Sequence, residues 1–252
     1  MCHATGEQPT KDRQALLPAL WGCINAQSVQ DFEWIVHDGT SEPTTIFHEI
    51  DDQRVSYVHA PEPMTIGAKR NALCAAAKGG IIAHFDDDDY YAPHYLERMI
   101  SFMIDLNVDF VKLFGFFLYH STSNTLAYWD LERDFPQHFL LHPNSDRPLM
   151  GGKRREGVSA RWGYGFSYVF SRRVWEEIKF PGNKDHGEDH IFADKVVAQF
   201  KSAGKQDFAC SCLHIIHGAN AVHTANISTV FPQQILPPEI LPKLFPNFHH
   251  ER

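Results

Sequence analysis

Cysteine is scarce and odd in number: Cys2, Cys23, Cys74, Cys210 and Cys212 are the five, scattered among apolar neighbours. That excludes a disulfide framework and points to reduced thiols in a core. Cys210 and Cys212 have no second pair at zinc-finger spacing and read as two same-face residues of one strand. Long hydrophobic runs are missing too. The stretch LFGFFLY from Leu113 falls far short of the roughly 20 residues that cross a bilayer. The opening MCHATGEQPTKDR lacks the apolar centre of a signal peptide, so a cytoplasmic protein is expected. Basic charge is thin, with 23 Lys and Arg against 31 Asp and Glu and a formal net charge of −8. Proteins that wrap nucleic acid need clustered cations, and the one basic cluster, Lys153 to Arg155, is short. There is no internal repeat and no shift in composition before the last twenty residues, which favours one domain.

What is present suits an ordinary globular chain of 252 residues, 43% apolar and 21% charged, long enough to bury a core. Leu16, Leu20, Cys23 and Ile24 recur at helical spacing, predicting a first helix over about Gln14 to Ala26 with Pro18 in its first turn. FEWIVHDG and RVSYVHAP read as strands, IGAKRNALCAAAK as a helix ending at Gly79 and Gly80, and IIAHF as a short apolar strand. A helix follows Pro93. VDFVKLFGFFLYH then gives one or two strands, with LAYWD as hairpin partner across the STSNT turn. The region from Glu132 to Trp162 is loop-rich. SRRVWEEI and GEDHIFADKVVAQFKSAG are helices, and FACSCLHIIHG is a last strand. Prolines 232, 237, 238, 242 and 246 forbid a long helix in the tail and suggest an extended surface strip. The alternation of strands and helices in the first hundred residues predicts an α/β fold of parallel βαβ units.

Ligands of such sheets bind at the C-terminal ends of strands, where the sequence puts Asp38 and the run Asp86, Asp87, Asp88 and Asp89. Several ionised aspartates this close raise one another's pKa values unless a cation is shared. An Asp-x-Asp spacing of hard oxygen ligands suits Mn²⁺ or Mg²⁺, and either ion would neutralise a bound diphosphate. Capping of a helix before Tyr90 is the plain structural alternative.

VHDGTSEPT, GAKRNALCAAAKGGIIAHFDDDDYYAPHYLE and GEDHIFADKV, in that order, resemble the motifs of family 2 glycosyltransferases with the GT-A fold over roughly residues 10 to 200. The resemblance implies one GT-A domain over residues 1–230, its nucleotide-binding half about 1–115 and its acceptor-binding half about 116–230, with a Pro-rich tail over 231–252. It also implies an inverting, metal-dependent transfer from a nucleotide sugar, a UDP-sugar in the first instance, to an acceptor the sequence does not name. By the same resemblance Asp38 meets the nucleotide base, Arg70 and Asn71 frame the nucleotide, Asp86 and Asp87 belong to the donor site, and Asp88 is the metal ligand. Asp189 is the general base, with Glu188 orienting it or the acceptor. A late histidine often completes such metal sites, and His217 is the first candidate, His223 the second. Trp162 and Tyr164, in the aromatic and glycine-rich RWGYGFSYVF, are candidates for the sugar and acceptor pocket.

Two departures stand out. QPTKDR retains Pro9, Thr10 and Arg13 of the family's opening motif, but MCHATGE is a poor strand. By the resemblance Thr10 and Arg13 are candidate nucleotide contacts, carried next to a first strand expected to be very short or atypical. His37 replaces the first aspartate of the usual Asp-Asp-Gly-Ser turn. Two alternatives stay open: a sugar nucleotidyltransferase, and a catalytically silent binding module on the same fold.

Overall fold

A computed structural model of the chain describes residues 3–132, 139–141, 148–150, 159–217, 229–231 and 234–248. In chain order the elements begin β1 (Ala4–Thr10), α1 (Leu17–Asn25), β2 (Phe32–Asp38), β3 (Val55–His59), α2 (Ile66–Ala76), β4 (Ile81–His84), β5 (Tyr90–Tyr91) and α3 (Tyr95–Asp105). They continue with β6 (Phe110–His120), β7 (Thr125–Asp130), β8 (Phe139–Leu141), β9 (Pro148–Met150), α4 (Ser159–Trp162), β10 (Val169–Ser171), α5 (Arg172–Glu177) and α6 (Glu188–Gln199). Last come β11 (Ser202–Gln206), β12 (Cys212–Ile216), β13 (Thr229–Phe231), β14 (Gln234–Leu236) and α7 (Leu241–Leu244). Among the described residues no helix is long and apolar enough to cross a membrane.

The chain divides into two compact units interleaved along the sequence. The first comprises Met1–Asp87, Pro93–Lys112 and Trp162–Gly204. Its strands β3, β2, β1 and β4 lie side by side and parallel, and β10 joins antiparallel to β4. The chain adds β2 and β3 on one side of β1 and then β4 on the other, so the direction of strand addition reverses beside β1. In parallel sheets that reversal opens a crevice at the strand C-termini. Helix α1 buries Leu17, Leu20, Cys23 and Ile24. Leu17 rather than Leu16 completes the buried stripe, because Leu16 is the N-cap residue and lies outside the helix. Pro18 sits in the first turn, where its missing N–H costs no helical bond.

The expectation of a very short or atypical first strand is corrected. β1 runs seven residues, is central, and is buried almost throughout. Its strand character comes from its neighbours. Thr5 Oγ1 donates to Glu33 Oε1 at 2.7 Å, Glu7 pairs with Arg70, Thr10 Oγ1 donates to Asp87 Oδ2 at 2.8 Å, and a Cβ at Gly6 would stand 3.3 Å from the Phe85 ring. Buried polar groups with partners are tolerated where unpaired ones are not. The predicted helix that began at Gly187 also ends sooner than its sequence suggests. α6 stops at Gln199, Phe200 is extended, and the Lys201 carbonyl accepts the N–H groups of Asp109 and Phe110 at 2.8 and 3.3 Å, which starts β11.

The second unit comprises Asp88–Ala92, Leu113–Arg161 and Lys205–Arg252. Within it β7 is the antiparallel hairpin partner of β6, as the LAYWD segment predicts. β12 runs parallel to β6 and antiparallel to β5. Cys210 and Cys212 are not two residues of one strand. Cys210 precedes β12 with a left-handed φ of 53°, in the loop that the Asp207 carboxylate caps by accepting the N–H groups of Ser211 and Cys212. The tail is less extended than its prolines suggest. β14 pairs with β7, a 3₁₀ turn and α7 follow, and Phe245 packs edge-on against Tyr90 and Phe117. The basic cluster Lys153 to Arg155 lies outside the described residues.

Candidate active site

The C-terminal ends of β1, β2 and β4 carry the polar groups that the sequence singled out. Asp87, just past β4, accepts the Thr10 hydroxyl at 2.8 Å and Arg13 Nη1 at 2.5 Å. Thr10 and Arg13 thus do have a place, as the partners that fix Asp87 across the reversal between β1 and β4. Lys69, buried on α2, donates to the Thr10 carbonyl at 2.8 Å and ties that helix to the same strand end.

Asp38 ends β2 fully buried. It accepts the backbone N–H groups of Thr40 and Thr44 at 2.9 and 3.3 Å, both threonine hydroxyls, and the Tyr57 hydroxyl at 2.7 Å. Burial alone would raise its pKa, but these hydrogen bonds outweigh it and hold the carboxyl below its ordinary value. Asn71 is engaged similarly. Its side chain donates to the Phe180 carbonyl at 2.9 Å and accepts from Trp175 Nε1 and the Phe180 N–H, both at 3.0 Å.

Arg70 is the centre of charge in the first unit. Its guanidinium, buried on α2, bonds Glu7 of β1, reaches Asp86 Oδ1 at 3.4 Å through Nη2, and reaches Glu188 Oε1 at 3.4 Å through Nε. The first aspartate of the acidic run and the first residue of the Glu-Asp pair, about a hundred residues apart in sequence, therefore share one cation. Gly67, one turn earlier on α2, passes so close to the Pro181 carbonyl that a side chain there would collide with backbone. That contact keeps Arg70 within reach of the start of α6. Burial raises Glu188, Arg70 opposes the shift, and the neighbouring Asp189 charge adds to it.

Asp189, in the first turn of α6, accepts the Gly165 N–H at 2.9 Å and its successor His190's N–H at 2.7 Å. Of the two aromatic candidates nearby, Trp162 is buried against Phe110 with ring centroids 5.6 Å apart. Tyr164 is half-buried in a left-handed conformation with φ 64°, its ring 5.7 Å from Lys112 Nζ.

The remaining aspartates belong to the second unit, where each meets a histidine. His217 Nε2 lies 3.5 Å from Asp88 Oδ2. Asp89 is buried and takes His214 Nδ1 at 2.9 Å and the Ile215 N–H at 2.8 Å. His223 lies outside the described residues. Within this unit Asp88 and Asp89 each offer a carboxylate oxygen. Such an all-oxygen set matches a hard divalent cation, and an imidazole at its edge is compatible with Mn²⁺. Asp89 is committed to β12 through His214 and the Ile215 N–H, whereas Asp88 lies beside His217.

Four participants escape a reading of the sequence: Glu7, His84, Lys112 and His214. His84, Lys112 and His214 sit in strands whose other residues read as core, and Glu7 in a segment that did not read as a strand. Burial pushes Glu7 up to about 7 despite Arg70, and burial together with Arg70 holds His84 well below its ordinary value, so its ring is neutral. A carboxyl whose folded pKa lies above its unfolded value binds its proton more tightly when folded. Stability linked to Glu7 is therefore fully present below about pH 4.5 and is lost as pH rises to about 7. Urea unfolding of wild type and Glu7→Gln at pH 5 and pH 8 tests this. Wild type should lose stability relative to the variant between the two, and an unchanged difference would show that Glu7 is ionised throughout.

A family model described as Glycosyl transferase family 2 matches residues 9–175, well over half the chain. EpsH of Bacillus subtilis (strain 168), named for glycosyl transfer, is 28% identical over 168 residues, 63% of this chain and 45% of that protein. Among solved structures, S. aureus TarS 1-349 in complex with UDP-GlcNAc superposes with a TM-score of 0.65 at 15% identity, over 89% of this chain and 61% of that one. The mannosyltransferase PcManGT from Pyrobaculum calidifontis, in complex with GDP-Man and Mn²⁺, gives 0.60 at 16% identity, over 90% and 59%. The chain spans less than half of the curated relative and about three fifths of these structures. At such identities the structural likeness carries the fold, an α/β fold of GT-A type. With the family model covering residues 9–175, the chain belongs to glycosyl transferase family 2.

Proposed function

We propose that the protein transfers a glycosyl group from a nucleotide sugar, a UDP-sugar in the first instance, to an acceptor hydroxyl with inversion at the anomeric carbon, using Mn²⁺ or Mg²⁺. The observation that carries this reading is the Arg70 bridge, which gathers Asp86 and Glu188 about one guanidinium. Family membership and structures of similar fold solved with UDP-GlcNAc and with GDP-Man and Mn²⁺ support it. A nucleotide sugar donor makes the cytoplasm the proposed compartment.

In this reading Asp88 and His217 hold the metal, and Asp86 serves the ribose or the same ion. When bound, the metal supplies Lewis-acid stabilisation to the departing diphosphate. Asp189 accepts the proton of the acceptor hydroxyl as its oxygen bonds the anomeric carbon and the bond from that carbon to the phosphate oxygen breaks. Glu188, held by Arg70, orients the acceptor side, and Thr10 and Arg13 keep Asp87 in place beneath the donor. Trp162 and Tyr164 line the sugar and acceptor side.

Thermal unfolding with UDP, GDP, CDP or dTDP, each with and without Mn²⁺, tests the donor and the metal together. UDP with Mn²⁺ should raise the melting temperature. Saturation a hundredfold above Kd contributes about 2.7 kcal/mol. No shift from any nucleotide with metal would defeat the proposal, and a metal-dependent shift with GDP alone would reassign the base.

A further inference from the structure

The turn Trp162–Gly165 is held at three carbonyls by three side chains of the first unit. The Trp162 carbonyl accepts the Tyr168 hydroxyl, the Gly163 carbonyl accepts Lys112 Nζ, and the Gly165 carbonyl accepts His84 Nδ1 at 3.0 Å. Tyr168, Lys112 and His84 are each 0% exposed, and they come from just before β10, from β6 and from β4. On the opposite side of the turn, the Gly165 N–H donates to Asp189 Oδ2 at 2.9 Å. The approach is close: a Cβ on Gly165 would stand 2.8 Å from the Asp189 Cβ.

Two features show that this turn is constrained at some cost. Tyr164 adopts φ 64°, a conformation unfavourable for a bulky L-residue that persists only where its surroundings over-determine it. Lys112 occupies a wholly buried position in the apolar strand FVKLFGFFLYH. Burial pulls its ammonium down to about 7 while the Asp189 charge opposes that shift. A methionine or leucine would pack there without the desolvation penalty. What only the lysine supplies is a donor long enough to reach the Gly163 carbonyl, beside the rings of Tyr164 and Tyr168 at 5.7 and 5.9 Å.

We propose that Lys112 is a positioning residue for Asp189, clamping the Gly163 carbonyl so that the Gly165 N–H is delivered to the Asp189 carboxylate. The inference rests on the reading of Asp189 as the base. Lys112 acts through the turn and touches no reacting atom. His84 and Tyr168 secure the neighbouring carbonyls, so the carboxylate is presented by a rigid piece of backbone.

Amide hydrogen exchange at Gly165 reads the proposed contact directly. In the wild-type protein this amide should exchange as slowly as the buried amides of β10, and free exchange would overturn the proposal without any variant. Lys112→Met keeps length and bulk and removes the donor. It should speed exchange at Gly165 at least tenfold while β2 amides keep their protection. With UDP-N-acetylglucosamine and Mn²⁺ as the probe, release of UDP should fall about tenfold to a hundredfold in kcat, with KM unchanged. A merely structural lysine would instead loosen the whole unit and leave kcat per folded molecule intact. Asp189→Asn retaining full UDP release would sink the base reading. Asp189→Asn losing it, while Lys112→Met keeps both kcat and Gly165 protection, would sink the role of Lys112 alone.

Discussion

Asp189→Asn is expected to lower glycosyl transfer by about 10²- to 10⁴-fold while leaving donor binding within twofold, the span associated with losing a positioned general base. The two carboxylate oxygens have different partners, the Gly165 N–H at 2.9 Å and the His190 N–H at 2.7 Å. An asparagine keeps one of these contacts and turns the other into an opposition of two donors, so a modest fall in melting temperature should accompany the loss of rate. Donor binding should survive, because neither contact belongs to the aspartate run. Isothermal titration of UDP with Mn²⁺ against the transfer rate separates the two quantities. Unchanged transfer would remove Asp189 as base and move attention to Glu188, whose pKa is raised by burial.

Asp88→Ala is expected to remove the metal-dependent part of nucleotide binding, so that the melting shift with UDP and Mn²⁺ falls to that with UDP alone. The fold should stay intact, which circular dichroism of the variant checks. Asp89 would make a poor substitute for this experiment. Its carboxylate takes His214 Nδ1 at 2.9 Å and the Ile215 N–H at 2.8 Å, and losing a buried acceptor with such partners costs stability in its own right. A metal-dependent shift of undiminished size in Asp88→Ala would overturn the Asp-x-Asp assignment.

The elements that were readable in advance are those whose own residues carry the pattern. The apolar IIAHF before the aspartates, the hairpin of β6 with β7, and the helix IGAKRNALCAA could be placed by periodicity and turn chemistry alone. β1 could not, because Ala-Thr-Gly-Glu-Gln-Pro-Thr is a strand only in company. Its Thr5, Glu7 and Thr10 side chains find partners in Glu33, Arg70 and Asp87, residues 28 to 77 positions away. The site shows the same division. Asp86, Asp88 and the Glu-Asp pair stand in motifs, whereas the pairing of Asp89 with His214 spans 125 positions and has no local signal. Lys112 was hidden for the opposite reason. A lone cation in an apolar run reads as a residue that reaches solvent, and only the fold reveals the Gly163 carbonyl that receives it.

The saturation of Asp38 bears on how family positions are interpreted. Five hydrogen bonds converge on its two oxygens, from Thr40, Thr44 and Tyr57, against about four lone-pair sites on a carboxylate. The residue works as a rivet: it fastens the loop after β2 to the hydroxyl of a residue on β3. In an alanine scan Asp38 would score like a lost ligand contact, yet the damage would begin in the loop coming undone, and any change in base preference would be inherited from the loop's altered path.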